Sequence, residues 1–127
     1  MPQRDVKVLI VEDDREVAGH MRNLLGRHGY IAVSAYDMAE GLEKFEREKP
    51  DICVVDVYLT ITLNESGIDF LEAAYKTGHN FKSLVISGRC DEALKAAILK
   101  LPIDFFLEKP IEPAQFVSAV DDLAVSL

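Results

Sequence analysis

Four short apolar runs in this sequence end in polar side chains that are able to act together. Three carboxylates in one cleft would repel one another and raise each other's pKa unless a cation compensates. Mg²⁺ suits that task, because it is a hard cation that takes oxygen ligands and keeps several waters. A lysine adds a second positive charge. The residues at these ends are Glu12 and Asp13, Asp56, Ser87 and Gly88, and Lys109.

These groups together favour phosphoryl transfer to a carboxylate. A carboxylate can attack a phosphoryl donor and form an acyl phosphate. The oxygens of the incoming group then need a metal, an ammonium and hydrogen-bond donors around them. We expect Mg²⁺, Lys109, Ser87 and the amide of Gly88 to supply that set. Gly88 has no side chain and so leaves the approach open.

The elements that position these residues are five apolar runs that alternate with amphipathic helical patterns. Such alternation predicts a parallel sheet with helices on both faces. A doubly wound sheet binds its ligand outside the carboxyl ends of the strands. We therefore expect the residues at the strand ends to lie in one cleft. The predicted strands are Val6–Val11, Tyr30–Ala35, Asp51–Asp56, Phe81–Ser87 and Ile103–Leu107.

Local signals mark where the helices begin. Asp37 with Glu40 has the spacing of a capping box, and Pro113 suits the first position of a final helix. Asp14 is interpreted as favourable charge at the start of the first helix. The apolar stripe predicted for that helix is Val17, Met21, Leu24 and Leu25.

Length and composition restrict the classes of protein. The chain has 127 residues, of which 49% are apolar, and we treat residues 1–127 as one globular domain. Its 22 acidic and 14 basic residues give a net charge of −8, which argues against direct binding to nucleic acid or to an anionic membrane. Neither a signal peptide nor a membrane span is expected, the cysteines and histidines lack zinc spacing, and we predict a cytoplasmic location.

The four strand-end motifs, in their order and spacing, resemble the receiver domain of two-component response regulators. They are Val-Leu-Ile-Val-Glu-Asp-Asp at 8–14, Val-Val-Asp at 54–56, Val-Ile-Ser-Gly at 85–88 and Phe-Leu-Glu-Lys-Pro at 106–110. Each motif alone is weak, but four in register are specific and span nearly the whole chain. The resemblance implies a flavodoxin-like α/β fold, a doubly wound (βα)₅ unit whose five parallel strands follow the order 2-1-3-4-5, as in the chemotaxis member of the family.

The resemblance also implies a role for each acidic residue. Asp56 is the phosphoacceptor. Asp13 binds Mg²⁺ directly and Glu12 binds it through water, while the backbone carbonyl of Tyr58 completes the protein ligands. A histidine kinase or a phosphotransfer protein supplies the phosphoryl group.

The remaining roles belong to the switch that answers phosphorylation. Ser87 matches the hydroxyl that turns toward the phosphoryl group, and Lys109 pairs with that group. Phe106 matches the aromatic residue that changes rotamer with Ser87, and the Lys109–Pro110 bond is expected to be cis. The changed surface then binds a downstream protein or output domain, so the chain is a phosphoacceptor with self-phosphorylation and self-dephosphorylation chemistry and not an enzyme with turnover.

The sequence departs from the family pattern in the loop after Asp56. Leu59-Thr60 replaces the usual Met-Pro pair, and Gly67 lies eleven residues after Asp56, later than usual. The bulky Tyr58 and the long Arg89 occupy positions that tune hydrolysis in this family, and they predict slow self-dephosphorylation.

Other classes of protein are weighed against the receiver. A receiver-like interaction module that is never phosphorylated is compatible with the altered loop. A phosphatase of the haloacid dehalogenase type is opposed by the segment Asp56-Val57-Tyr58-Leu59-Thr60, which lacks the second aspartate of that motif. A flavodoxin-like FMN carrier is opposed by the missing phosphate loop and by the acidic cleft, which would repel phosphate.

Overall fold

The computed structural model of this chain describes residues 5–57, 67–88 and 92–127. In those ranges five strands pair in parallel in the order β2-β1-β3-β4-β5, which confirms the predicted doubly wound α/β fold. The elements are β1 Lys7–Val11, α1 Arg15–Arg27, β2 Ile31–Ala35, α2 Met38–Glu48, β3 Ile52–Asp56, α3 Gly67–Lys76, β4 Lys82–Ser87, α4 Glu92–Leu99, β5 Phe105–Glu108 and α5 Pro113–Val125.

The fifth strand differs most from its predicted bounds. The sequence pattern predicts Ile103–Leu107, whereas the strand lies at Phe105–Glu108. Ile103 instead closes a tight turn, in which its amide donates to the carbonyl of Leu101 at 2.8 Å. At the other end, Glu108 pairs in register with Ser87. Lys109 therefore leaves the sheet directly at its carboxyl edge.

Side-chain caps begin the first two helices. Asp14 accepts hydrogen bonds from the amides of Glu16 at 3.0 Å and Val17 at 3.2 Å, which confirms its interpretation as a helix-start residue. Asp37 caps α2 by accepting from the amide of Glu40 at 2.8 Å. The carboxylate of Glu40 accepts a hydrogen bond from the amide of Tyr36, whereas a standard capping box would use the amide of Asp37. The capping box is therefore displaced by one residue. Pro113 opens α5 as predicted.

The core consists of two clusters, one on each face of the sheet. Strand alternation divides them, since Val54 belongs to one cluster and Val55 to the other. The first cluster includes Phe116 and Val120 from α5. The second, to which Val55 belongs, is completed from α2 and α3 by residues such as Phe45 and Phe70, and we call it the second core cluster. β3 is buried on both faces, as expected for a central parallel strand.

Two further findings concern Cys53 and the helices. Cys53 is fully buried within β3, and burial raises the pKa of its thiol, so it behaves as a small apolar side chain. Among the described residues, none of the helices is both long and apolar enough to cross a membrane.

Candidate functional site

Two carboxylates meet at the carboxyl edge of the sheet because of strand register. Val11, the last residue of β1, lies opposite Val55 of β3, so the residues that come next along the chain, Glu12 and Asp56, lie side by side. The amide of Glu12 donates to the carbonyl of Ala35 at 3.0 Å, which holds this end of the chain against β2. Glu12 is only 3% exposed and Asp56 only 9%.

Lys109 joins these carboxylates from the end of β5. Its Nζ donates to Asp56 Oδ2 at 2.6 Å and lies 3.9 Å from Glu12 Oε1. Its backbone amide donates to the carbonyl of Ser87 at 2.9 Å, which anchors the lysine to β4. The Lys109–Pro110 peptide is cis, as predicted. An ion pair between side chains far apart in sequence thus sits at the edge where the strands end.

Gly88 leaves room for the aliphatic part of Lys109. A Cβ atom on Gly88 would lie 3.2 Å from Cδ of Lys109, closer than most Cβ contacts. The lysine side chain therefore passes directly over the position where any other residue would place its side chain. The absence of a side chain on Gly88 is what allows Lys109 to take this path.

Two oxygens of the buried carboxylates accept no hydrogen bond from any residue that the structure describes. They are Glu12 Oε1 and Asp56 Oδ1. The pKa of Glu12 is raised to about 9, chiefly by burial and then by Asp56 and Asp13, whose carboxylates favour the protonated Glu12 that can donate to them, while the amide of Asp14 opposes the shift. Buried acceptors without partners carry a large free-energy cost. The arrangement therefore calls for a proton or a cation between the carboxylates.

The surroundings of Lys109 act on its pKa in opposite directions. Partial burial lowers its pKa, but the hydrogen bond and charge of Asp56, with the charges of Glu12 and Asp13, outweigh burial and raise the pKa above its usual value. The ammonium group therefore stays charged over the physiological range. It offers one permanent positive charge to the site.

Asp13 differs from Glu12 in exposure. Asp13 is exposed at the rim of the site, whereas Glu12 is buried and accepts from the amide of Asp14 at 3.2 Å through Oε2. Within the described ranges, no group of three His, Cys, Asp or Glu side chains is spaced to hold a metal by itself. The two orphaned oxygens with Asp13 nearby suit an open site completed by water, which is the preference of Mg²⁺.

The predicted switch residues lie on neighbouring strands. Ser87 is fully buried at the end of β4, next to β3, where Asp56 pairs in register with Ile86. Phe106 is half-buried in β5 and packs against the second core cluster. The predicted metal ligand Tyr58 and the predicted hydrolysis-tuning residue Arg89 lie outside the described residues.

A groove beside Lys109 was not foreseen from the sequence. Its volume is about 560 Å³, and Val17 and Met21 of α1 form one wall. Pro110 and Ile111, which follow Lys109, also line it. The sequence placed Val17 and Met21 in the buried stripe of α1, but both are only half-buried, since only part of that stripe is covered by α5 and the sheet.

Comparison with known proteins agrees with this geometry. The family model of the response regulator receiver domain matches residues 8–121. The chain is 30% identical over 120 residues to chemotaxis protein CheY of Thermotoga maritima, which covers 93% of this chain and 97% of that protein. It is 31% identical over 109 residues to the alkaline phosphatase synthesis transcriptional regulatory protein PhoP of Bacillus subtilis, covering 86% of this chain but only 44% of that longer regulator.

The fold is shared with solved structures as well. A CheY-like response regulator receiver domain protein from Methanospirillum hungatei superposes with a TM-score of 0.87 at 23% identity, over 97% of this chain and 96% of that one. At that identity the likeness concerns the fold. The family-model match over residues 8–121 and the 30% identity to the chemotaxis protein place this chain in the family of response regulator receiver domains.

Proposed function

We propose that this receiver domain accepts a phosphoryl group on Asp56 from a histidine kinase or a phosphotransfer protein. The observation that carries the proposal is the buried Asp56 carboxylate. The ammonium of Lys109 lies 2.6 Å from one of its oxygens, and the other oxygen accepts no hydrogen bond within the described ranges. Such a carboxylate is a ready nucleophile with a cation already beside it. The family membership of the chain supports the same assignment.

The transfer needs few groups from the protein. A carboxylate oxygen of Asp56 attacks phosphorus, the bond from phosphorus to the donor nitrogen breaks, and an acyl phosphate forms. Lys109 then pairs with the phosphoryl oxygens, with the hydroxyl of Ser87 and the amide of Gly88 as further donors. The residues that would hold Mg²⁺ are Glu12, Asp13, Asp56 and, through its carbonyl, Tyr58; the bound ion would neutralise the charge that develops on those oxygens.

The proposed partners follow from the acceptor role. Lys109 lines the groove together with Val17, Met21, Pro110 and Ile111, and its Nζ contacts Asp56. A phosphodonor protein seated there would therefore bring its phosphohistidine close to Asp56. Phosphorylation then biases Ser87 and Phe106 between two arrangements, and the changed surface binds a downstream protein or an output domain. The chain acts as a phosphoacceptor without turnover on other substrates, and its cytoplasmic location stays a prediction from the sequence.

Intact-mass spectrometry tests this proposal directly. The protein is incubated with Mg²⁺ and acetyl phosphate, beside Asp56→Asn and a sample without metal. We expect the mass of one phosphoryl group in the first sample and none in the two controls. A folded protein that gains no mass, and that also fails to bind Mg²⁺ in a titration, would instead be a receiver-like interaction module.

A further inference from the structure

The first residue of α3 lies against the end of β3 that carries Asp56. A Cβ atom on Gly67 would be 2.6 Å from Cγ1 of Val55, 2.7 Å from Cγ2 of Val57 and 3.2 Å from the carbonyl oxygen of Asp56. Real Cβ atoms essentially never approach another heavy atom within 3.0 Å. Only glycine fits between the helix and this strand end without a shift.

Gly67 contacts the backbone of Asp56 from the face opposite its carboxylate. Val55 and Val57 both belong to the second core cluster, on the side of the sheet that α3 covers. Successive residues along a strand point to opposite faces, so the side chain of Asp56 is directed away from that side. Pressure from a side chain at position 67 would therefore push the strand end, and Asp56 with it, toward Lys109 and Glu12.

Neither α3 nor the end of β3 can shift without losing packing or hydrogen bonding. The helix is held by Phe70 and Leu71, which are both fully buried. The strand end is held by the amide of Val57, which donates to the carbonyl of Ile86 at 2.7 Å. Because neither the helix nor the strand end moves freely, both would have to shift to make room for a side chain at position 67, and Asp56 would be displaced with the strand end.

We propose that Gly67 is a positioning residue for Asp56, and that its missing side chain sets the distance from the Asp56 carboxylate to Lys109. This inference rests on the proposed phosphoacceptor function. The position of Lys109 does not depend on β3, because its backbone amide donates a hydrogen bond to the carbonyl of Ser87 in β4. A shift of β3 alone therefore changes the 2.6 Å contact between Lys109 and Asp56.

The test compares the phosphorylation rate with thermal stability in two glycine variants. Gly67→Ala is expected to lose at least about tenfold in the rate of phosphorylation by acetyl phosphate and Mg²⁺, because small misplacements of a reacting group cost much of its rate. Gly41→Ala is the matched control, since its Cβ would meet Phe70 of the same core cluster at 3.1 Å and Val11 of β1 at 3.4 Å, and none of its three nearest contacts is in β3. We expect Gly41→Ala to lower the melting temperature but to keep the rate within about twofold of wild type.

A rescue variant separates positioning from general destabilisation. Val55→Ala with Val57→Ala removes the two methyl groups that a Cβ on residue 67 would meet. In the Gly67→Ala background these changes should restore the rate toward that of the Val55→Ala, Val57→Ala protein. The melting temperature should stay below that of wild type, because buried valines are lost even though the clash with residue 67 is relieved. This rescue also covers the case in which Gly67→Ala alone folds poorly.

The possible results are distinct. An unchanged rate in Gly67→Ala, or a rate that follows melting temperature through all the variants, would overturn the positioning role while leaving Asp56 as the acceptor. A folded wild-type protein that is never phosphorylated would overturn the proposed function and this inference together.

Discussion

Nζ of Lys109 lies 2.6 Å from Oδ2 of Asp56, across 53 residues of sequence. The two residues leave β5 and β3, which are separated in the sheet by β4. Lys109 crosses that gap because its backbone is bonded to the end of β4 and its side chain passes over Gly88. The same ammonium lies 3.9 Å from Glu12, so it is the main compensating charge of the described site.

Replacing Lys109 with methionine should separate its chemical role from its structural one. Lys109→Met keeps much of the aliphatic side chain but removes the charge, and we expect phosphorylation of Asp56 to slow by about 100-fold because the transition state loses a cation. The rate is measured by intact mass after addition of acetyl phosphate. Exposed Lys95 on α4 gives the control Lys95→Met, which should keep the wild-type rate. Equal rates in all three proteins would contradict a role for Lys109 in the transfer.

The raised pKa of Glu12 predicts how stability depends on pH without metal. The folded state raises this pKa from 4.5 to about 9, so folding favours the protonated carboxyl. Stability contributed by that preference is present below about pH 4.5 and is lost as the pH rises toward 9. Thermal melts between pH 5 and about 9 should therefore show a decline that Glu12→Gln makes smaller. A steeper decline in Glu12→Gln would contradict the assignment.

Mg²⁺ should oppose the decline in melting temperature as the pH rises. The ion needs ionised ligands, so the increase in melting temperature that Mg²⁺ produces should be larger near pH 8.5 than near pH 6, at about the same ionic strength. Glu12→Gln should reduce both the increase and its pH dependence. Asp56→Asn provides the second comparison. An equal Mg²⁺ effect at both values of pH would argue that Glu12 does not exchange its proton for the ion.

The adjacent acidic residues Asp13 and Asp14 should separate metal binding from helix capping. Asp14→Ala removes the cap of α1 and should cost about 1 kcal/mol in the free energy of unfolding, with little change in the response to Mg²⁺. Asp13→Ala should remove most of that response with a smaller change in stability. Chemical denaturation and a Mg²⁺ titration measure the two effects. Asp37→Ala, the cap of α2, is the matched control for capping.

The groove beside Lys109 should matter only for a protein donor. Met21→Glu places a charge on the groove wall and should weaken transfer from a phosphotransfer protein by about tenfold, equivalent to about 1.4 kcal/mol of binding free energy. Phosphorylation by acetyl phosphate, which needs no docking, should be unchanged. Ile31→Glu is the control, because Ile31 is 43% exposed at the opposite end of the sheet. A similar loss with both donors would show that Met21 acts by another route.

Much of the fold and of the candidate site was accessible from sequence because it depends on local patterns. Apolar runs and helical stripes are readable residue by residue, and parallel strands place their carboxyl ends at one edge. That logic is sufficient to group Glu12, Asp56, Ser87 and Lys109. The strand order itself came from resemblance, since hydrophobic periodicity does not say which strands are neighbours.

Tertiary structure decided the features that depend on packing between distant elements. The sequence does not show that Asp13 is exposed while Glu12 is buried. Glu12 is held at the edge of the sheet because its amide donates to the carbonyl of Ala35 in β2. The sequence also does not show that Met21 would line a groove or that Gly67 would lie against Val55, since both contacts need the helices to be docked. Patterns along the chain determine which face an element buries, but the distance between two faces is set only when their side chains pack together.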